Sequence, residues 1–221
     1  MQQTKVGQFS IAALYRLMLP QLLRNEELVI YLDADLIFNQ IDMADLVQHI
    51  QSDPHQQPIA AVHDDLFSST AAQRQELQML DIAPAQYFNS GVLGMRPSRI
   101  DIDLVQALHS FTEQYPNATH IDQDLLNVTF RHRTHWLPER FNYQVNICQG
   151  RYFENPENFD KKILHYTGKT KPLNGTLAPA DIYFWRYTHE IPHIHQYLKT
   201  PVRYPNRSPK RPSSSPPATT N

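Results

Sequence analysis

With 221 residues, 41% of them hydrophobic and 10% aromatic, the chain is long and apolar enough for one domain with a real core, which excludes a disordered protein. No apolar run approaches the roughly 18–20 residues of a membrane span, and the single Cys148 excludes a disulfide framework or a Cys-based zinc site. The net charge of −2 conceals an asymmetry: Lys199, Arg203, Arg207, Lys210 and Arg211 follow the last acidic residue, Glu190, and setting them aside leaves 15 basic against 22 acidic residues. An acidic body suits a divalent cation and argues against nucleic acid, which is met by a basic face.

Residues 11–23 carry Ile11, Leu14, Tyr15, Met18, Leu19 and Leu22 at helical spacing, with Ser10 as N-cap. Pro20 is predicted to end or kink this helix near Leu19. Residues 28–32 form a short continuous apolar run rich in β-formers, the pattern of a buried strand. A short helix at 43–50, strands at 59–62 and 91–95, and a helix at 104–115 with Leu104, Val105, Leu108, Phe111 and Tyr115 on one face follow. This alternation predicts an α/β fold with a largely parallel sheet. Residues 200–221 are Pro- and Ser-rich without apolar periodicity and are expected to be a disordered basic tail. MQQTKVGQFS lacks the pattern of a signal peptide, so a reducing cytoplasm is expected.

Four segments carry chemistry. Asp33-Ala34-Asp35 follows the strand at 28–32, at the strand end where open α/β sheets bind ligands. Two carboxylates at i and i+2 reach one hard cation if the chain turns there. Asn89-Ser90-Gly91, ahead of a strand, offers an amide and a backbone that a ligand can approach closely. His120-Ile121-Asp122-Gln123-Asp124 opens a helix with polar groups. Finally, Ile163-Leu164-His165 leads into Tyr166-Thr167-Gly168-Lys169-Thr170-Lys171, a metal-ligand type beside a phosphate-binding cation. The acidic pair after each of two strands (Asp33 and Asp35, then Asp64 and Asp65) also allows a haloacid-dehalogenase-like phosphatase, although Ile37 stands where that class usually carries Thr or Val.

Taken in order, LYRL around Arg16, YLDAD, the Asp of AVHD, YFNSGV, DQDLLN and HYTGKTKP resemble glycosyltransferase family 8 over about residues 8–185. That family includes bacterial lipopolysaccharide glucosyl- and galactosyltransferases, plant galactinol synthase and glycogenin. The resemblance implies a GT-A type nucleotide-diphospho-sugar transferase fold, α/β and Rossmann-like with a mostly parallel sheet, across residues 1–199. It also implies a UDP-glucose or UDP-galactose donor, a saccharide or lipid-linked oligosaccharide acceptor, Mn2+ (or Mg2+), and retention at the anomeric carbon. Carried over by position, Asp33, Asp35 and His165 would be metal ligands, while Gly168 and Lys171 would contact the donor diphosphate. Arg16, Asp64, Asn89 and Asp122 would contact donor sugar or ribose, with Ala34, Ser90 and Gly91 also at the donor. Gln123 would lie under the anomeric carbon, and Asp122 is the alternative catalytic group. Asp64 is preferred to Asp65 because it follows AVH directly.

Two departures stand out. Leu173 follows Lys171-Pro172 where the family usually has Trp, and the family's first βαβ units, which hold uracil and ribose, would precede this chain. A non-catalytic remnant therefore stays open beside the enzyme reading, and the run at 28–32 would sit on an exposed sheet edge. The basic tail, with Tyr197 and Tyr204 near its start, would give weak peripheral contact with the inner face of a membrane. His189, His193 and His195 are read as surface histidines because Pro192 interrupts helical pairing, and Arg131, His132, Arg133 and His135 as a strand-edge or turn surface. The acceptor patterns at Asn117, Asn127, Asn174 and Asn206 are read as chance matches.

Overall fold

In the computed structural model, residues 14–146, 151–168, 171–172, 179–188 and 191 are described. Ser10, Ile11, Cys148, Lys169, Thr170, Asn174, His189, His193, His195 and the tail lie outside them. A 3-10 turn, Tyr15–Met18, runs into α1 (Leu19–Leu22), with Pro20 in its first turn. Pro20 thus opens a helix where it was expected to end one: a first-turn residue needs no N–H partner, and proline's φ is already helical.

The chain continues through β1 (Val29–Leu32), β2 (Leu36–Asn39), α2 (Met43–Gln51), β3 (Ile59–His63) and α3 (Ala71–Met79). It then forms β4 (Phe88–Met95), α4 (Leu104–Gln114), α5 (Ile121–Phe130), β5 (Thr134–Trp136), β6 (Tyr143–Gln144), β7 (Lys162–His165) and α6 (Asp181–Thr188). The Asp42 carboxylate accepts from Ala44 N–H at the start of α2, and Thr70 forms a reciprocal capping box with Gln73 on α3.

The strands form two sheets, β1-β4-β3-β5 and β2-β7-β6. In the first, β4 is antiparallel to both β1 and β3, while β3 and β5 are parallel. In the second, β2 and β7 are antiparallel and β6 and β7 parallel. The α/β fold is as expected, but among the described residues the sheets are mixed, not mostly parallel. An apolar run reports burial on both faces, which is common in parallel sheets but does not require them. Every residue of β4 is buried, although both its neighbours run antiparallel to it. β1 is the outer strand of its sheet, with only Val29 fully buried.

Alternating residues divide the core. Ile59, Ala61, Leu93 and Met95 pack with Phe111 of α4 and Leu125, Leu126 and Phe130 of α5. Ala60, Val62 and Val92 face Leu46 and Ile50 of α2 and Ile163 of β7, an apolar layer shared by the two sheets. Leu164, on the other face of β7, packs with Tyr143, Tyr166 and Tyr183. A Cβ on Gly94 would lie 2.8 Å from Ile50 Cδ1, so glycine lets α2 lie close against β4.

Candidate active site

The two sheets meet at Asp33-Ala34-Asp35. β1 ends at Leu32 in the first sheet and β2 begins at Leu36 in the second, so the acidic turn is the crossing between them. Asp33 N–H donates to Gly91 C=O (2.8 Å), and Asp35 C=O accepts from Tyr166 N–H (3.2 Å). Each carboxylate is thereby tied to a different sheet. β4 brings Asn89-Ser90-Gly91 to the same place through an irregularity: Ala61 pairs with Leu93 but Val62 pairs with Asn89, so residues 90–92 are extra on the β4 side. Such a bulge re-aims side chains. These three residues lie inside the strand, which begins at Phe88 and not at Gly91 as read from the sequence.

His165 ends β7, and its Nε2 faces both acids, 3.7 Å from Asp33 Oδ2 and 3.3 Å from Asp35 Oδ1. Asp33, Asp35 and His165 each offer a ligand atom, all within 4.8 Å of one another. Two carboxylate oxygens and an imidazole nitrogen, with Nδ1 engaged by Asn142 Oδ1 at 2.8 Å, fit a divalent cation. Gly91 makes this approach feasible: a Cβ there would lie 2.7 Å from His165 Nδ1 and 2.9 Å from Asp33 Oδ2. Burial works against ionisation of Asp35, but hydrogen bonds and charges from His165 and Lys171 outweigh it and hold the carboxyl well below the usual range. The Lys171 ammonium donates to Asp35 Oδ2 and to Tyr166 C=O.

Arg16 is buried and fully engaged. Its guanidinium donates to Ser90 C=O (2.8 Å), Ser90 Oγ (2.7 Å) and Asp33 Oδ1 (2.9 Å), and its Nε pairs with Asp122 Oδ2 at 3.1 Å. It also lies over the Tyr31 ring, whose hydroxyl donates to Asp33 Oδ1 (2.6 Å). Gln123 spans two segments: its Oε1 accepts from Ser90 N–H (2.9 Å) and its Nε2 donates to Asp64 Oδ2 (3.0 Å). Burial raises the carboxyls of Asp64 and Asp122, against hydrogen bonds from Asn89 and Gln123 in the first case and the Arg16 charge in the second.

These groups line one cleft of about 340 Å³. Of the residues singled out in the sequence, Arg16, Asp33, Asp35, Asp64, Asn89, Ser90, Asp122, Gln123, His165, Gly168 and Lys171 all line it. Ala34 is exposed on the turn, and Gly91 supports the cleft from within β4. Gly168 takes φ +79°, a left-handed conformation that suits glycine. Asp65 is exposed and lies 3.8 Å from Arg151, so the second acidic pair is split and only Asp64 reaches the cleft. A phosphatase centre built on both acidic pairs is therefore not formed. Arg131 and Arg133 pair with Asp81 and Asp101 on the surface. Tyr31, Gln144, Asn146 and above all Asn142 were not legible as site residues; Asn142 lies in FNYQVN, where no charge or spacing marks it.

The turn of acids between the two sheets, facing a histidine and a lysine, belongs to a GT-A type fold. The fold matches a crystal structure of the galactosyltransferase LgtC in complex with donor and acceptor sugar analogues. The TM-score is 0.65 at 22% identity, over 87% of this chain and 69% of that one. Residues 2–193 match the profile of glycosyl transferase family 8, and the chain belongs to that family. Glycosyltransferase GlyA of Streptococcus pneumoniae is 27% identical over 197 residues, 83% of this chain. The lipopolysaccharide 1,3-galactosyltransferase of Salmonella typhimurium is 32% identical over 87 residues, 38% of this chain. The chain spans 26% of the length of each of these two relatives. No helix among the described residues is long and apolar enough to cross a membrane.

Proposed function

We propose that the chain carries the donor and metal site of a retaining hexosyltransferase that moves glucose or galactose from a UDP-sugar to a saccharide or lipid-linked acceptor, in the synthesis of lipopolysaccharide or another surface glycan. The observation that carries this reading is the convergence of Asp33, Asp35 and His165 on a polar cleft, in a member of family 8.

Asp33, Asp35 and His165 would hold Mn2+ or Mg2+, and such an ion would supply Lewis-acid stabilisation of charge on the departing diphosphate. Lys171, which lines the same cleft, adds a positive charge for the same oxygens. Arg16 holds Asp33, Asp122 and Ser90 in one register, so the donor meets a preorganised wall. The transition state resembles an oxocarbenium ion, as in glycoside hydrolysis. Gln123 lines the cleft and would lie under the anomeric carbon, where its amide is a poor nucleophile. Asp122, the other nearby acid, is engaged by Arg16. The favoured route is front-face attack: the acceptor oxygen bonds to C1 as the C1–O bond to diphosphate breaks, and the hydroxyl proton passes to a diphosphate oxygen.

The purified chain, supplied with Mn2+ and UDP-glucose or UDP-galactose, is expected to release UDP slowly by hydrolysis. Mn2+-dependent UDP binding with no release from either sugar would indicate a non-catalytic remnant.

A further inference from the structure

The candidate metal ligand His165 has two ring nitrogens, and only one of them faces the acids. Which nitrogen carries the proton follows from a chain of buried hydrogen bonds that starts at a backbone group. Gly91 N–H can only donate, and it donates to Asn89 (2.9 Å), so the Asn89 atom facing it is the carbonyl Oδ1. The Asn142 side chain also meets that oxygen, at 2.9 Å, and must present its NH2 there. The remaining Asn142 atom, Oδ1, then faces His165 Nδ1 at 2.8 Å and accepts from it. His165 consequently carries its proton on Nδ1 and turns the Nε2 lone pair toward Asp33 and Asp35. Asn89 Nδ2, freed by the same logic, donates to Asp64 Oδ2 (3.2 Å), which also accepts from Gln123.

Asn142 itself is immobilised. It is 1% exposed and follows the 3-10 turn Glu139–Phe141, with its N–H donating to Glu139 C=O. Its two hydrogen bonds join β7 to β4, which belong to different sheets.

We propose that Asn142 is the positioning residue of this centre: it holds His165 in the tautomer that presents Nε2 to Asp33 and Asp35, and links that ring through Asn89 to the Asp64–Gln123 end of the cleft. The proposal rests on the metal-site reading above. Partners of this kind orient metal-ligating histidines, and their loss typically weakens metal binding about 10–100-fold.

The test is Mn2+ binding, read as free-ion paramagnetic resonance, for the unmodified chain, His165→Ala, Asn142→Ala and Asn142→Asp. Asn142→Ala is expected to weaken Mn2+ about 10–100-fold. Asn142→Asp, whose carboxylate still accepts from Nδ1 but no longer donates to Asn89, is expected to restore affinity close to that of the unmodified chain. If His165→Ala binds Mn2+ as tightly as the unmodified chain, the metal reading fails and the proposal with it. If His165→Ala is weakened while Asn142→Ala is not, only the role of Asn142 is overturned. A second measurement is independent of whether the variants fold. Long-range 1H–15N correlation of the Mg2+-loaded chain is expected to show His165 protonated on Nδ1, and a proton on Nε2 would overturn the proposal.

Discussion

Gly91 and Asp124 show how single positions constrain this molecule. Any Cβ at position 91 would press on His165 and Asp33. Over-packing of this kind costs about 1–3 kcal/mol, and here the relief must come from two candidate metal ligands. Gly91→Ala is therefore expected to lower Mn2+-dependent UDP affinity about tenfold or more, measured by calorimetry; unchanged affinity would remove the close approach from the account. Asp124 is wholly buried, accepts from the Tyr87 hydroxyl and His120 N–H, and lies beside Glu76. Burial, reinforced by the Glu76 charge, pushes its carboxyl up to about 8 against the opposing Tyr87 hydrogen bond. A raised acid favours the folded state most below its unfolded value of about 4, and that contribution is lost as pH rises toward 8. Urea melts at pH 5 and pH 7.5 should show stability falling with pH in the unmodified chain and a flatter dependence in Asp124→Asn. Parallel slopes in the two proteins would contradict the buried, raised acid.

Helix α5 divides its labour between its faces. Asp122 and Gln123 enter the cleft, while Asn127 clamps the strand behind it: its Oδ1 accepts from Phe88 N–H, and its Nδ2 donates to Phe88 and Gln123 carbonyls. Asn127→Ala would strand buried backbone groups at the start of β4, at about 1–3 kcal/mol, and loosen Gln123. It should lower both stability and UDP affinity. Asp42→Ala, which removes the exposed N-cap of α2 away from the cleft, should cost about 1 kcal/mol with UDP affinity unchanged. Equal effects of the two on binding would show that α5 is not specifically coupled to the site. The acidic turn, the helix opening at His120 and the strand ending in His165 were legible because each is a local pattern of residue types. The partners of Arg16 were not, since Ser90 lies 74 residues away, nor was Asn142, 53 residues from Asn89. The two-residue β6 and the strand directions likewise depend on tertiary pairing that no local window contains.

The molecule as a whole places its acidic turn where two mixed sheets share an apolar layer, so binding at the turn reports on both sheets at once. The five basic residues after Glu190 are proposed to hold the site near anionic lipid, each worth up to about 1 kcal/mol at such a surface. Co-sedimentation with anionic vesicles at low salt should fall when residues 200–221, which carry four of the five, are removed; equal binding to neutral vesicles, or no loss on truncation, would refute this role. The most direct test of the central claim is calorimetry of UDP binding with and without Mn2+ for the unmodified chain, Asp33→Ala and Asp35→Ala. UDP should bind the unmodified chain in an Mn2+-dependent manner, and either substitution should abolish that dependence; unchanged Mn2+-dependent affinity in both variants would contradict the assignment of this cleft.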